Sequence, residues 1–397
     1  MGLVKYLSLS ACGALTGFAA YGHAEPERLA LSAFLPLAWV FCSRRGETAA
    51  FAFAYYALAS RGIPSGGAVF FGQDAPFIFS ITLWLLSVAA LTLPWALLWT
   101  NSKSFTEVFG RLLLIFIVLT VPPLGLFGWA SPLLSVGFMF PSAGWAALAA
   151  FPALFALAAT ATDKKRLNAL LCAAAIVMFA ALYPVKVKEA EGIAGIDTSY
   201  GRVASGSTGF ADAFIRTSDI AVRVLSEEHA YILVPETIAG KWTKETERIW
   251  SGFAGLLKSR RQTLIVGAEI YDDADKYDNC MIFLGFDEEA RLYRQRIPVP
   301  VSMWCPFGVS GTANAYWFDS GIIRFADGRR AAMLICYEQF LAWPILLSFT
   351  RFPAPDMIIT SANQWWCKDT SIPKIQLQCA TAWARLFGVP LASATNI

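Results

Sequence analysis

Apolar residues divide this chain unevenly. Up to about Pro184 long uncharged runs, at roughly residues 4–22, 28–43, 48–62, 77–100, 112–130, 133–160 and 167–183, alternate with short charged loops. From Lys186 onward charges recur every few residues. Several of the runs exceed the roughly 18 residues that cross a bilayer, and the second and third fall short of it. Those two read as tilted spans, a re-entrant pair or a single hairpin. The pattern predicts a membrane domain over 1–185, with about seven transmembrane helices, and a soluble domain over 186–397. Lys5 ahead of the first run resembles the start of a signal peptide, but six more apolar runs follow and favour a retained helix.

Basic residues in the short loops orient these runs. With a cytoplasmic N-terminus the inside loops hold Lys5, then Arg44 and Arg45, then Lys103 and Arg111, then Lys164, Lys165 and Arg166, against Arg28 and Arg61 outside. An odd number of spans delivers the chain from Lys186 to the far side. In a bacterium the expectation is a multi-pass inner-membrane protein whose C-terminal domain is periplasmic.

In the second half the period changes. Tyr231-Ile232-Leu233-Val234 reads as a strand that Pro235 terminates, and Thr263 to Val266, Met281 to Leu284, Ala332 to Ile335, Met357 to Thr360 and Pro390 to Ala392 read the same way. Thr243 to Lys258 and Lys374 to Phe387 carry apolar residues at helical spacing. Interleaved strands and helices predict a layered α/β domain. Residues 189–215, rich in Gly, Ala, Ser and Thr, read as a tether or flexible entry loop.

Composition sharpens this picture. Of 397 residues 56% are hydrophobic and 15% charged, too apolar for one soluble domain, and a net charge of +3 gives no reason to expect a nucleic-acid partner. The two histidines are His23, in a membrane loop, and His229, seven residues before Glu236. On an extended strand that separation is roughly 20 Å, so His229 reads as a surface residue at a strand start. No Cys-x-x-Cys, His-x-x-x-His or phosphate-binding glycine motif is present, Asp272, Asp273 and Asp275 read as a solvated loop, and neither metal nor cofactor is expected. Cys12, Cys42 and Cys172 fall in the membrane runs. Cys280, Cys305, Cys336, Cys367 and Cys379 are an odd set, which leaves at least one free thiol in an oxidising compartment.

Two residues carry chemistry. Glu236 ends Leu233-Val234-Pro235-Glu236, and Cys336 ends the apolar run of Leu334-Ile335-Cys336-Tyr337-Glu338. Either alone would read as a loop carboxylate or a core cysteine. Together, at the ends of buried strands, they can converge at one sheet edge, where the acid takes the thiol proton and the thiolate attacks a carbonyl. Beside a strongly hydrophobic half, this points to acyl chemistry at a membrane surface.

Pro235-Glu236, a segment centred on Tyr293, Cys336-Tyr337-Glu338, and Ser361-Ala362-Asn363 through Ala394-Thr395-Asn396 follow the order of motifs in the nitrilase, or carbon-nitrogen hydrolase, superfamily. With its membrane half the chain resembles the apolipoprotein N-acyltransferase branch, and more closely the conjugal-transfer TraB family of plasmids, which is similar to that enzyme in both halves. The resemblance covers most of the chain. It implies a multi-span helical membrane domain followed by an αββα sandwich, and a Glu-Lys-Cys triad with Glu236 as general base and Cys336 as nucleophile. The family's lysine is missing: in Tyr293-Arg294-Gln295-Arg296-Ile297-Pro298-Val299-Pro300 its position is held by Gln295. The acid that follows Val-Pro in the acyltransferase branch is also absent, since the chain continues Val301-Ser302-Met303-Trp304. The resembling acyltransferases extend past Ala394-Thr395-Asn396 through further strands to a final membrane helix, so an anchor at one end only and a short sheet edge are expected here.

Gln295 offers an oxyanion a neutral hydrogen bond in place of a charge, and one lost donor costs on the order of 10²–10³ in rate. Arg294 and Arg296 flank it but point to the opposite face of an extended strand. Lys241 and Lys276 are the other cations, read as surface residues. Glu338 reads either as a group that orients the site or polarises the acceptor, or as a buried structural carboxylate. By the resemblance, Tyr337, Asn363, Trp365 and Trp366 line the site. The implied cycle draws an acyl group from phospholipid onto Cys336 as a thioester and passes it to an amine, which in the resembling enzyme belongs to a lipoprotein. The alternative is a non-catalytic scaffold of the conjugation machinery. The partners expected are a phospholipid donor, the membrane, and a lipoprotein or a component of that machinery.

Overall fold

The computed structural model describes residues 2–72, 77–161, 163–203, 209–287, 292–305 and 311–397. The chain divides into two compact units. One comprises Met1–Val187, Phe340–Trp343 and Cys367–Val389, and the other Lys188–Gln339, Pro344–Trp366 and Pro390–Ile397.

The first unit is helical: α1 (Gly2–Ala20), α2 (Phe34–Phe41), α3 (Arg45–Ala59), α4 (Ile63–Phe71), α5 (Phe77–Leu97), α6 (Phe105–Thr120), α7 (Val136–Met139), α8 (Gly144–Thr160) and α9 (Asp163–Leu182). Among the described residues, α1 and α5 are long and apolar enough to cross a membrane, and the pair Pro132–Met139 and Gly144–Thr160, bent by 115°, would make a third if taken as one span. The apolar runs are broken for local reasons. The run at 28–43 is a 3-10 segment, Pro26–Ala33, followed by the eight-residue α2. The run at 112–130 stops at Thr120, ahead of Pro122-Pro123, which cannot continue a helix. Ser142 and Gly144, both at positive φ, interrupt the run at 133–160. Glycine lets α1 and α3 approach closely: a Cβ at Gly13 or Gly17 would strike the backbone carbonyl of Phe51 or Tyr55. The helix Ile372–Phe387 belongs to this unit, where Gln378 Oε1 accepts from Gly22 N at 2.8 Å and its Nε2 donates to Ala20 O at 3.2 Å.

The second unit holds β1 (Ile193–Gly195), α10 (Gly209–Leu225), β2 (Tyr231–Leu233), α11 (Lys244–Ser259), β3 (Thr263–Tyr271), β4 (Tyr277–Gly285), β5 (Leu292–Arg294), β6 (Ile322–Arg324) and β7 (Arg330–Ile335). Next in the chain come α12 (Ala342–Phe349), β8 (Met357–Asn363), α13 (Ile372–Phe387), which is the helix of the first unit described above, and β9 (Leu391–Asn396). Strands β1 to β5 form one sheet in that order, parallel from β1 to β3 and antiparallel from β3 to β5. Strands β6 to β9 form a second, in which only β6 runs against its neighbour. Period-2 alternation sorts the side chains. Leu233, Ile265, Met281 and Phe283 of the first sheet share a buried core with Met333, Ile335 and Ile359 of the second, so the sheets pack face to face. Ile232, Leu264 and Val266 face the other way, onto Trp250 and Leu257 of α11 and Ile220 and Val224 of α10.

The residues expected to form a tether contain β1 and the start of α10, while 204–208 lie outside the described residues. The correction has a physical cause: buried Ile193 and Ile196 anchor the segment, and its backbone pairs on both sides. Ile196 N donates to Leu233 O at 2.9 Å, and Thr198 N donates to Thr395 O at 2.8 Å. Leu391 N likewise reaches Lys188 O at 2.9 Å, so β9 lies beside the stretch that leads into and out of β1.

Replacing Gly17 by Val forces α1 away from α3. It should cost about 1–3 kcal/mol, as overpacking in a tight core does, and lower the thermal midpoint of the detergent-purified chain. A midpoint equal to that of the parent protein would show that the close approach carries no weight.

Candidate functional site

Glu236 follows Pro235 at the end of β2, the position to which the parallel strands carry it. It is 4% exposed. Its Oε1 accepts from Asn279 Nδ2 at 2.6 Å, its Oε2 accepts from Asn363 N at 2.7 Å, and the Cys336 thiol is a third hydrogen-bond partner. Burial raises its pKa to about 7, and these three bonds pull the other way more weakly. A carboxyl with that value takes and returns a proton near neutrality. The strand beneath it must stay bare, because a Cβ at Gly267 of β3 would meet the backbone of Pro235, Glu236 and Thr237.

Cys336 comes directly after β7 at φ 48°, a left-handed conformation that costs a non-glycine residue free energy, and it opens the turn Cys336–Phe340. A thiol on so sharp a corner is turned out of the strand's alternation, as nucleophiles on strand-to-helix turns are. Thr237, next to Glu236, is also left-handed at φ 58°, and its Oγ1 accepts from Asn363 Nδ2 at 2.7 Å. Asn396 Nδ2 in turn donates to Asn363 Oδ1 at 2.8 Å.

Gln295 reaches the same cluster. It is 2% exposed, its Oε1 accepts from Asn279 Nδ2 at 2.9 Å, and its Nε2 donates to Ile335 O, the carbonyl before Cys336, at 3.1 Å. The neighbouring arginines are engaged elsewhere. Arg294 Nε pairs with Asp278 Oδ2 at 2.6 Å. Arg296 is 1% exposed, and its guanidinium donates to Pro344 O at 2.8 Å, Met333 O at 3.1 Å and Ser348 Oγ at 3.2 Å, among others. Lys241 is exposed, with Nζ 3.8 Å from the centre of the Tyr271 ring, and Lys276 is half-buried in the turn that Asp272 Oδ1 caps. His229 is at the surface, 3.1 Å from Glu227.

Glu338 is fully buried and fully engaged. Its Oε2 accepts from Tyr293 Oη at 2.6 Å and Ile335 N at 2.7 Å, and its Oε1 accepts from Arg296 N at 2.6 Å and Ile297 N at 3.2 Å, with Arg296 Nε 3.5 Å away. Of the two sequence readings, this geometry is that of the structural carboxylate. Burial raises its pKa, and the Arg296 charge opposes that. Tyr337 is buried beside it, and Trp365 and Trp366 are half-buried, with the Arg202 guanidinium 5.4 Å from the Trp365 ring centre.

The structure thus brings Glu236, Cys336, Gln295 and Asn363 together. It adds Asn279 and Thr237, which sequence reasoning did not single out, and Asn396, which the sequence offered only as the end of a motif. Asn279 was legible only as a polar residue on the inward face of β4, a position where an apolar one is expected. Its Oδ1 is buried without a hydrogen-bond partner in this structure. The arrangement sets a thiol and a carboxyl beside neutral amide donors.

No family model matches the chain. It is 33% identical over 386 residues to the conjugal transfer protein TraB of Agrobacterium fabrum, an alignment covering 94% of this chain and 88% of that one. It is also 33% identical over 394 residues to a probable conjugal transfer protein TraB of Sinorhizobium fredii, covering 96% and 94%. Among solved structures, a nitrilase-superfamily amidase from Nesterenkonia superposes with a TM-score of 0.38 at 15% identity, over 54% of this chain and 79% of that one. A carbon-nitrogen hydrolase from Helicobacter pylori superposes with a TM-score of 0.35 at 12% identity, over 52% and 72%.

Two outcomes are expected. Alkylation of Cys336 by iodoacetamide, followed by peptide mass mapping, should accelerate as pH rises through about 7, because below that value Glu236 holds its own proton and cannot take the thiol's. With Glu236→Gln the rise should move to higher pH, and an unmoved profile would remove Glu236 as the base. Glu338→Ala should cost about 3–5 kcal/mol in denaturant unfolding, since it leaves the Arg296 guanidinium buried without its counter-charge.

Proposed function

The chain belongs to the TraB family of conjugal transfer proteins, and from that membership and the Glu236–Cys336 pair we propose that it is a membrane-bound, nitrilase-like acyltransferase acting in plasmid conjugal transfer. The observation that carries the reading is the shared hydrogen bond between the buried Glu236 carboxyl and the Cys336 thiol at its strained corner. Glu236 takes the thiol proton and the thiolate attacks a phospholipid ester carbonyl. The tetrahedral adduct collapses to a thioester as the lysophospholipid alkoxide leaves with the proton from Glu236. An amine then attacks the thioester, its proton passes to Glu236, and the thiolate is released. The second N–H of Gln295 Nε2 is the side-chain donor for the oxyanion. In this reading the acceptor is a lipoprotein or a component of the conjugation machinery. The helical unit is a multi-pass anchor in the bacterial inner membrane, and the two sheets face the periplasm. The apolar helices α1 and α5 and the basic loops inferred to be cytoplasmic support the anchor.

A second reading has its own observation. Gln295 is held at both ends by Asn279 and Ile335, and Arg294 and Arg296 are committed to Asp278 and to the Glu338 network, so neither flanking arginine takes the place of the lysine. That favours a scaffold that keeps the fold and has set the chemistry aside.

Intact-mass analysis of the purified chain incubated with bacterial phospholipid separates the two. The acyltransferase gives an acyl-sized, hydroxylamine-labile adduct that is lost in Cys336→Ala, and Gln295→Lys should speed its formation by roughly 10²–10³. Absence of any adduct, together with full conjugation frequency in Cys336→Ala, would leave the scaffold.

A further inference from the structure

Away from the Cys336 cluster, the second sheet carries a concavity of about 750 Å³ at its β6 edge. Its lining includes Arg324, Arg330 and Arg351 against a single carboxylate, Asp319. The Asp319 Oδ1 is itself occupied, accepting from Gly321 N at 3.0 Å. Arg324 and Arg330 are register partners in the antiparallel pair β6–β7, so their side chains leave the sheet on one face as like charges in neighbouring positions. Like charges in register repel, and an anion between them relieves that repulsion. One guanidinium nitrogen of Arg330, Nη1, is buried with no hydrogen-bond partner. At the rim stand two exposed phenylalanines: Phe318 is 65% exposed and Phe352 is 97% exposed.

We propose that this concavity docks the phosphate headgroup of an anionic phospholipid, with Phe318 and Phe352 entering the acyl layer. Guanidinium groups match phosphate oxygens in charge and in planar, two-pronged geometry. A cluster of arginines gains from the negative potential of an anionic leaflet, and apolar rings beside basic residues are what an interfacial element buries in a bilayer. A free phosphate ion would meet the charge of the arginines but leave the Phe352 ring in water, and an acidic peptide gives no reason for that ring to stand almost fully exposed. None of the lining residues belongs to the Glu236–Cys336–Gln295 cluster, so the site would tether the sheet unit to a lipid surface whether or not acyl transfer occurs.

The test uses the purified full chain in amphipol and three soluble probes: dihexanoyl phosphatidylglycerol, dihexanoyl phosphatidylcholine and inorganic phosphate. The phosphatidylglycerol should bind at least about tenfold more tightly than either of the others, a difference of about 1.4 kcal/mol. Arg324→Gln combined with Arg351→Gln, both exposed positions, should erase that preference. Phe352→Ser should weaken phosphatidylglycerol and leave inorganic phosphate unchanged, which separates lost docking from lost folding. Equal affinity for the two lipids, or a preference that survives the arginine substitutions, would overturn the proposal. Inorganic phosphate binding as tightly as phosphatidylglycerol would assign the site to a free anion and overturn it equally.

Discussion

The carboxylate of Glu338 is the constraint on which the site rests. It lies between the two sheets and accepts four hydrogen bonds, from the backbone of Ile335 on one side, from the backbone of Arg296 and Ile297 on the other, and from the Tyr293 hydroxyl. A buried carboxylate is costly to desolvate, and this one is tolerated because every lone pair is used and a guanidinium lies alongside. The bonds pin the residue before Cys336 to the residue after Gln295. The left-handed turn at Cys336 therefore cannot relax without breaking a charged network, which is how strained corners persist. Arg296 is spoken for by the same network, and its six acceptors include the carbonyls of Asp319 and Ser320.

The amide at position 295 shapes the electrostatics around the thiol. A lysine at position 295 would bring a positive charge beside Glu236 and favour the ionised acid. With an amide there, burial dominates and Glu236 keeps its proton to about neutrality. The cluster is held by neutral groups, with Asn279 Nδ2 shared between the Glu236 and Gln295 oxygens. Glu269, the register partner of Asn279, adds a further negative influence on Glu236. Chemistry at such a site would run with little help from charge and would depend on positioning.

Much of this was legible along the chain, and the parts that were not have identifiable causes. The short apolar runs before Glu236 and Cys336 announced β2 and β7, and α11 and α13 begin and end within two residues of the spans that their apolar spacing indicates. The three-residue strands β1, β5 and β6 are too short to show alternation and exist because neighbours pair with them. The sequence resemblance located Gln295, and strand alternation correctly turned Arg294 away from it. Neither could reveal that Arg296 is enclosed by carbonyls, because those acceptors come from residues up to 52 positions away. Helix lengths in the first unit were over-read for a simple reason: hydropathy runs continue through proline pairs and positive-φ residues where the backbone does not.

The pairing of β9 with the stretch around β1 joins strands from opposite ends of the sheet unit, with all the other strands between them in sequence. Closing a loop that long adds little to the equilibrium cost, because the entropy grows only with the logarithm of length, but contacts so distant form slowly. During synthesis β1 to β8 emerge while the edge of the second sheet is still open. Asn396, which steadies Asn363 and through it the amide that holds Glu236, is not yet there. The Asn363 side chain therefore gains this partner late, once β9 has docked. A nascent chain halted before Leu391 would carry the thiol and the acid without the Asn396 bond that steadies the Asn363 side chain behind them.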